Sequence, residues 1–138
     1  MSMQKKTLKV VGAAIIDSGK ILVAQRPISD KAYKSLKWEF PGGKIEDGET
    51  EEDAIRREIR EELDCEVEVE ILLPEIEYEY PDFILRMTIC ICHLVGTSTP
   101  KCLEHNALCW MTPERLSSLD WAAADALCYS MVVDYLNR

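Results

Sequence analysis

The chain has 138 residues, of which 47% are hydrophobic and 30% charged, and 25 acidic against 16 basic side chains leave a net charge of −9. That length is expected to form one domain over 1–138 with a sizeable core. The acidity argues against a nucleic-acid partner, which wants a basic surface, but not against a small anionic substrate bridged to the protein by metal ions.

Leu8 to Ile16 (LKVVGAAII) is a β-type run, and Asp17-Ser18-Gly19 is a turn signal, so Lys20 to Arg26 (KILVAQR) is expected to return as a hairpin partner. Pro27 to Lys37 is polar and irregular. Trp38-Glu39-Phe40 is a short extended piece that leads into Pro41-Gly42-Gly43, and the stretch from Lys44 to Thr50 reads as a loop. A helix follows to Leu63, with Thr50 and Asp53 spaced as a capping box. Glu66 to Glu70 alternates as a strand with one wet face. Ile76 to Tyr80 is a further strand, Pro81-Asp82 a turn, and Ile84 to Val95 a long buried strand. Ala107 to Met111 is a short strand, and Pro113 suits the first position of a helical turn. The last helix is expected from about Ala122 to Leu136, with Ala126, Leu127, Met131, Val132 and Leu136 facing inward. The pattern predicts an α/β fold, a mixed sheet with helices packed on it.

The six cysteines (Cys65, Cys90, Cys92, Cys102, Cys109 and Cys128) form no C-x-x-C pair and show no zinc spacing. Most sit in apolar runs, as small buried hydrophobes do, with Cys90 and Cys92 on one side of a strand. Lys5 and Lys6 precede an apolar run, but it meets Asp17 too soon for a leader and has no cleavage pattern. No stretch approaches transmembrane length. A reduced, soluble, cytoplasmic protein without a membrane partner is expected.

Gly42 to Cys65 (GGKIEDGETEEDAIRREIREELDC) is the stretch that carries chemistry. At 100° per residue, Ile55, Ile59 and Leu63 share one arc, and Arg56, Arg57 and Arg60 lie opposite. Glu58, Glu61 and Glu62 fill the arc beside the apolar stripe. Each like-charged i,i+4 pair costs about 0.2–0.5 kcal/mol, so stability alone would not choose this face. A divalent cation would turn the repulsion into coordination, because hard cations take carboxylate oxygens.

This stretch closely resembles the signature of the Nudix family, G-x5-E-x7-R-E-U-x-E-E-x-G-U, where U is a bulky aliphatic residue. Gly43, Glu49, Arg57, Glu58, Ile59, Glu61 and Glu62 fall in register over 43–65. Asp64 stands where the pattern has its final glycine and Cys65 where it has its last aliphatic residue. Asp enters the positive-φ conformation expected there more readily than most residues, so a loss of stability is expected rather than a loss of chemistry. The likeness continues through Arg26, WEFPGGKIE (38–46), YEYPD (78–82) and EHNALCW (104–110), which look like the MutT-type branch. That branch includes oxidised-dGTP diphosphatases and CTP pyrophosphohydrolases.

The resemblance implies a Nudix fold, a mixed sheet sandwiched between helices. It also implies water attack on a nucleoside triphosphate, giving monophosphate and pyrophosphate. Mg2+, or Mn2+, would neutralise the phosphates, lower the pKa of bound water and align the attack. The implied metal ligands are Glu58, Glu61, Glu62, the Gly42 carbonyl and Glu104, with Glu58 and Glu104 competing for the general-base role. Arg57 is expected to orient carboxylates, Glu49 among them. Arg26, Glu39 and Phe40 match substrate-side positions, and Asp125 a position where a polar side chain reads the base edge. Each has a plainer reading: a solvated helix face for the glutamates, a strand surface for Arg26 and a helix N-cap for Asp125. His93 and His105 are expected to be structural, and the tryptophans to belong to the core or its edge.

Two other readings compete. One keeps the enzyme but turns it to ADP-ribose or another nucleoside diphosphate derivative. Such enzymes often carry extra N-terminal elements, whereas this sequence enters its first strand at once. The other is a non-catalytic nucleotide-binding module, which would be expected to lack some of the three helix glutamates. A monomer or weak homodimer is expected.

Overall fold

In the computed structural model, which describes residues 5–138, strand β1 (Lys6–Asp17) serves two groups of strands. Lys6 to Ile15 runs parallel to β7 (Phe83–Leu94), in register from Lys6–Phe83 to Ile15–Cys92. On its other side, Val10 to Gly12 faces β4 (Gly42–Lys44). Only Ile16 and Asp17 pair with β2 (Lys20–Gln25). The expected hairpin is therefore real but short, and Ser18 (φ 52°) and Gly19 (φ 76°) make its primed turn. Beyond it, β2 leaves β1 and pairs with β3 (Trp38–Glu39) and β8 (Ala107–Met111). Antiparallel β5 (Val67–Leu72) and β6 (Ile76–Glu79) share the far side of β7.

The period-two alternation of the central strands divides the core into two layers. Val11, Ala13, Ile15, Cys90 and Cys92 point to helix α1 (Glu51–Leu63) and meet Ala54, Ile55, Ile59 and Leu63. Ala14, Ile89 and Ile91 point the other way, to Leu116, Ala124, Cys128 and Val132 of the C-terminal segment. The sheet is thus mixed and covered by helices on both faces, as expected. Cys65, Cys90, Cys92 and Cys128 are buried and unpaired, while Cys102 and Cys109 are exposed.

Helix α1 begins where the capping signal put it: the Thr50 hydroxyl accepts a hydrogen bond from the Asp53 N–H at 3.1 Å. It ends at Asp64, which takes the left-handed conformation (φ 47°, ψ 48°). Asp64 also pairs with Lys101 at 2.8 Å, but both side chains are well exposed and the pair is worth little. Asp64→Gly is therefore expected to raise stability by about 0.5–1 kcal/mol, read from urea unfolding, with hydrolysis unchanged. A loss of stability would mean that the Lys101 pair matters more than the backbone.

The last helix departs from expectation. It is broken into α2 (Ala123–Ala126) and α3 (Tyr129–Leu136). Between them Leu127, Cys128 and Met131 donate to carbonyls three residues back, at 3.1, 2.9 and 3.0 Å. That tighter winding shifts the phase of the face. Ala126 and Leu127 consequently point to solvent, and Ala124, Cys128 and Val132, four residues apart, form the buried stripe instead.

Candidate functional site

The site is built where β4 crosses β1. Gly42 lies so close to β1 that an added Cβ would overlap the Val11 carbonyl. At Gly43 a Cβ would stand 2.5 Å from the carboxyl carbon of Glu58 on α1. The two glycines therefore do different things: the first admits the strand, and the second admits a carboxylate beside the strand. The segment expected as loop from Lys44 begins as the last residue of this strand.

Arg57 organises the rim. The wheel places it opposite the apolar stripe, yet its guanidinium turns toward the carboxylates. It forks onto Glu49 (Nε to Oε2 2.7 Å, Nη2 to Oε1 2.9 Å). It also donates to Glu58 at 2.9 Å, Glu61 at 3.3 Å and the Lys44 carbonyl at 2.9 Å. The Arg57 fork and the Glu46 N–H hold the Glu49 carboxyl down at about 2.

Glu62 faces the opposite situation. It is buried, and burial, followed by the hydrogen bond and charge of Glu58 and the charges of Glu39 and Glu104, pushes its carboxyl up to about 9. So many carboxylates with few cations among them are a donor set for a hard divalent cation, and that chemistry fits Mg2+ or Mn2+. Among the described residues, no three His, Cys, Asp or Glu side chains are already gathered around one point. The helix carboxylates are instead drawn to Arg57 on one side and to His105 on the other.

Beside this rim opens a cleft of about 410 Å³. Of the residues singled out from sequence, Arg26, Glu39, Phe40, Gly42, Glu62, Glu104 and Asp125 line it. Arg57, Glu58 and Glu61 stand outside that lining, on the helix behind Gly43. Glu104 is exposed at the cleft edge. Arg26 is paired with Glu39 at 3.2 Å. Asp125 is fully inside: its Oδ2 accepts the Phe40 N–H at 2.9 Å, and burial and then the charge of Glu39 hold its carboxyl well above the usual range. Its position is that of a wall residue with one carboxyl oxygen committed to backbone. The Phe40 ring packs on Trp121 (5.0 Å between centroids) and belongs chiefly to the core, so its backbone N–H is the part that serves Asp125.

Two features of the cleft go beyond the residues singled out from sequence. Tyr33, Tyr80 and Phe83 form an aromatic wall, with Tyr80 5.2 Å from Tyr33 and 5.1 Å from Phe83 between centroids. The tyrosine-rich YEYPD segment carried that signal, but the partner Tyr33 comes from an irregular loop whose placement no periodicity announces. The second is His105, which touches Glu39 and Glu62 rather than serving only the core. Its only sequence signal is adjacency to Glu104.

The sequence matches the family described as NUDIX domain over residues 6–130. It is 38% identical over 120-odd residues (122) to the CTP pyrophosphohydrolase of Escherichia coli strain K12, covering 87% of each chain. It is 41% identical over 81 residues to the 8-oxo-dGTP diphosphatase of Proteus vulgaris, covering 58% of this chain and 70% of that one. Among solved structures, the E. coli ORF135 protein superposes with a TM-score of 0.77 at 35% identity, over 94% of this chain and 91% of the other.

Proposed function

Since the chain belongs to the Nudix hydrolase family, we propose that it is a pyrophosphohydrolase of nucleoside triphosphates, converting (d)NTP and water into (d)NMP and pyrophosphate, with oxidised dGTP or cytosine nucleotides such as CTP and dCTP as substrates. The observation that carries this is the meeting of an acidic rim, Glu58 to Glu62, with a cleft that Glu62, Arg26 and Asp125 all line. The rim suits a metal-bound polyphosphate and the cleft a base. The relatives named for CTP and for 8-oxo-dGTP support the substrate class.

In this reading Glu58, Glu61, Glu62, Glu104 and the Gly42 carbonyl hold Mg2+ or Mn2+. When bound, that ion would neutralise the phosphates and acidify the attacking water. Arg57 keeps the helix carboxylates aimed and leaves the substrate alone. Glu104 takes the proton from water: Glu58 is engaged by Arg57, whereas Glu104 reaches the cleft edge with no hydrogen-bond donor on its carboxylate among the described residues. Arg26 and Glu39 face the phosphate–sugar part. Phe40 positions Asp125, whose carboxyl, held toward its protonated form by burial, donates from its remaining oxygen to an acceptor on the base edge. Among the described residues no helix is long and apolar enough to cross a membrane. The reading places the enzyme with the cytoplasmic nucleotide pool, as a monomer or weak homodimer forming the single domain 1–138.

A panel of oxidised dGTP, dCTP, 5-methyl-dCTP, CTP and ADP-ribose, assayed with Mg2+, tests this. Equal amounts of monophosphate and pyrophosphate are expected from at least one triphosphate. Silence on every triphosphate, or turnover confined to ADP-ribose, would overturn it.

A further inference from the structure

His105 stands between the helix carboxylates and the substrate-side strand. Its side chain is only 4% exposed, and Nε2 lies 2.9 Å from Glu39 Oε2 and 3.5 Å from Glu62 Oε1. Glu39 in turn accepts the Arg26 guanidinium at 3.2 Å. A single line, Arg26–Glu39–His105–Glu62, thus crosses from the end of β2 and from β3 to α1. Nδ1 is buried and has no partner among the described residues.

A histidine serving only as core filler would be expected to satisfy both ring nitrogens, since buried polar atoms are nearly always bonded. Here Nε2 bonds Glu39 and lies near Glu62, while Nδ1 has no partner among the described residues. With the proton on Nε2, as the hydrogen-bond network assigns it, Nδ1 is a bare lone pair rather than a stranded donor. The N–H therefore belongs to Glu39, with Glu62 beside it at 3.5 Å. The backbone that carries the ring is held on both sides. The Cys102 thiol donates to the His105 carbonyl at 3.2 Å. Asn106 is tied to Gln25 through its backbone N–H at 2.9 Å and its side-chain amide at 2.6 Å.

We propose that His105 is a positioning residue that couples Glu62 to Glu39 and Arg26: anchored on Glu39 through its Nε2–H, the ring keeps Glu62 Oε1 beside it and leaves the other oxygen of Glu62 to a divalent cation, and through Glu39 it steadies Arg26 for an anionic substrate. It rests on the reading of the site above and adds a link between its two ends. Cation and triphosphate then strengthen each other's binding through this ring.

The test compares the wild type with His105→Leu, His105→Gln and His105→Asn. Free Mn2+ is followed by electron paramagnetic resonance, melting is followed by circular dichroism, and KM and kcat are measured at saturating Mn2+. A glutamine amide reaches the place of Nε2, whereas an asparagine amide stops near Nδ1. Leu and Asn are expected to weaken Mn2+ binding about 10- to 100-fold, the range for residues that orient metal ligands, and to raise KM more than they lower kcat. Gln is expected to restore both. Wild-type Mn2+ affinity in the Leu or Asn variant, or equal weakening in Gln and Asn, would overturn the proposal. If Leu does not fold, the Gln–Asn contrast decides alone. A wild type that binds Mn2+ but hydrolyses no triphosphate defeats the substrate reading and leaves the Mn2+ comparison standing.

Discussion

Glu58→Gln is expected to lower kcat/KM about a thousandfold, near 4 kcal/mol of transition-state stabilisation, while thermal stability holds or rises. The two effects have opposite signs for one reason. Glu58 stands among the carboxylates that push Glu62 up, so removing its charge relieves the fold. The amide oxygen can still accept from Arg57, which now sits 2.9 Å from Glu58. What is lost is a hard anionic oxygen for the cation, and with it several kcal/mol of charge stabilisation. Glu61→Gln should behave alike with a smaller change in stability, since that side chain is 57% exposed and its contact to Arg57 is long, at 3.3 Å. Steady-state kinetics beside a melting curve decides. A variant with near-normal turnover would remove Glu58 from the machinery, and a variant that melts early would make its charge structural.

Gly42→Ala and Gly43→Ala are expected to fail in different ways although the glycines are neighbours. At Gly42 the new methyl meets backbone, the Val11 carbonyl, and two paired strands must part to admit it. A loss of about 3 kcal/mol or more is expected, at the upper end for overpacking. At Gly43 the methyl meets the free end of a flexible side chain, the Glu58 carboxyl 2.5 Å away. That end can swing aside at little cost to folding, but a ligand displaced by about 1 Å can cost a hundredfold in rate. Urea unfolding and kcat/KM on both variants separate the cases. Equal destabilisation at the two positions would show that Glu58 is as immovable as backbone.

The parts of this molecule legible in the sequence are those set by short-range chemistry. Thr50 caps α1, Asp64 ends it in the left-handed region, and Cys90 and Cys92 share a face because strands alternate. The carboxylate row at 58, 61 and 62 follows from helical period alone. Less legible was anything decided by partners far along the chain. Leu127 faces out because the winding tightens between α2 and α3, where Asp125 and Ala124 are held by Phe40 and the Tyr80 hydroxyl, residues 85 and 44 positions away. Arg57 turns to Glu49 because a loop returns there, and no wheel drawn on the helix contains that loop. His105 gains its two carboxylates from β3 and α1, neither adjacent in sequence.

The double allegiance of β1 also bears on how errors would show. Its Val10–Gly12 stretch sets where Gly43 meets Glu58, and its last two residues start the β2 pairing that carries Arg26 and, through β3, Glu39. A slip of one residue would turn Val11, Ala13 and Ile15 away from α1 and misplace the acidic rim and the substrate wall together. Such a slip is expected to leave neither half of the site in place. A misregistered chain would be inert rather than a weak or indiscriminate hydrolase, and in a cell that depends on its nucleotide pool the silent failure is the safer one.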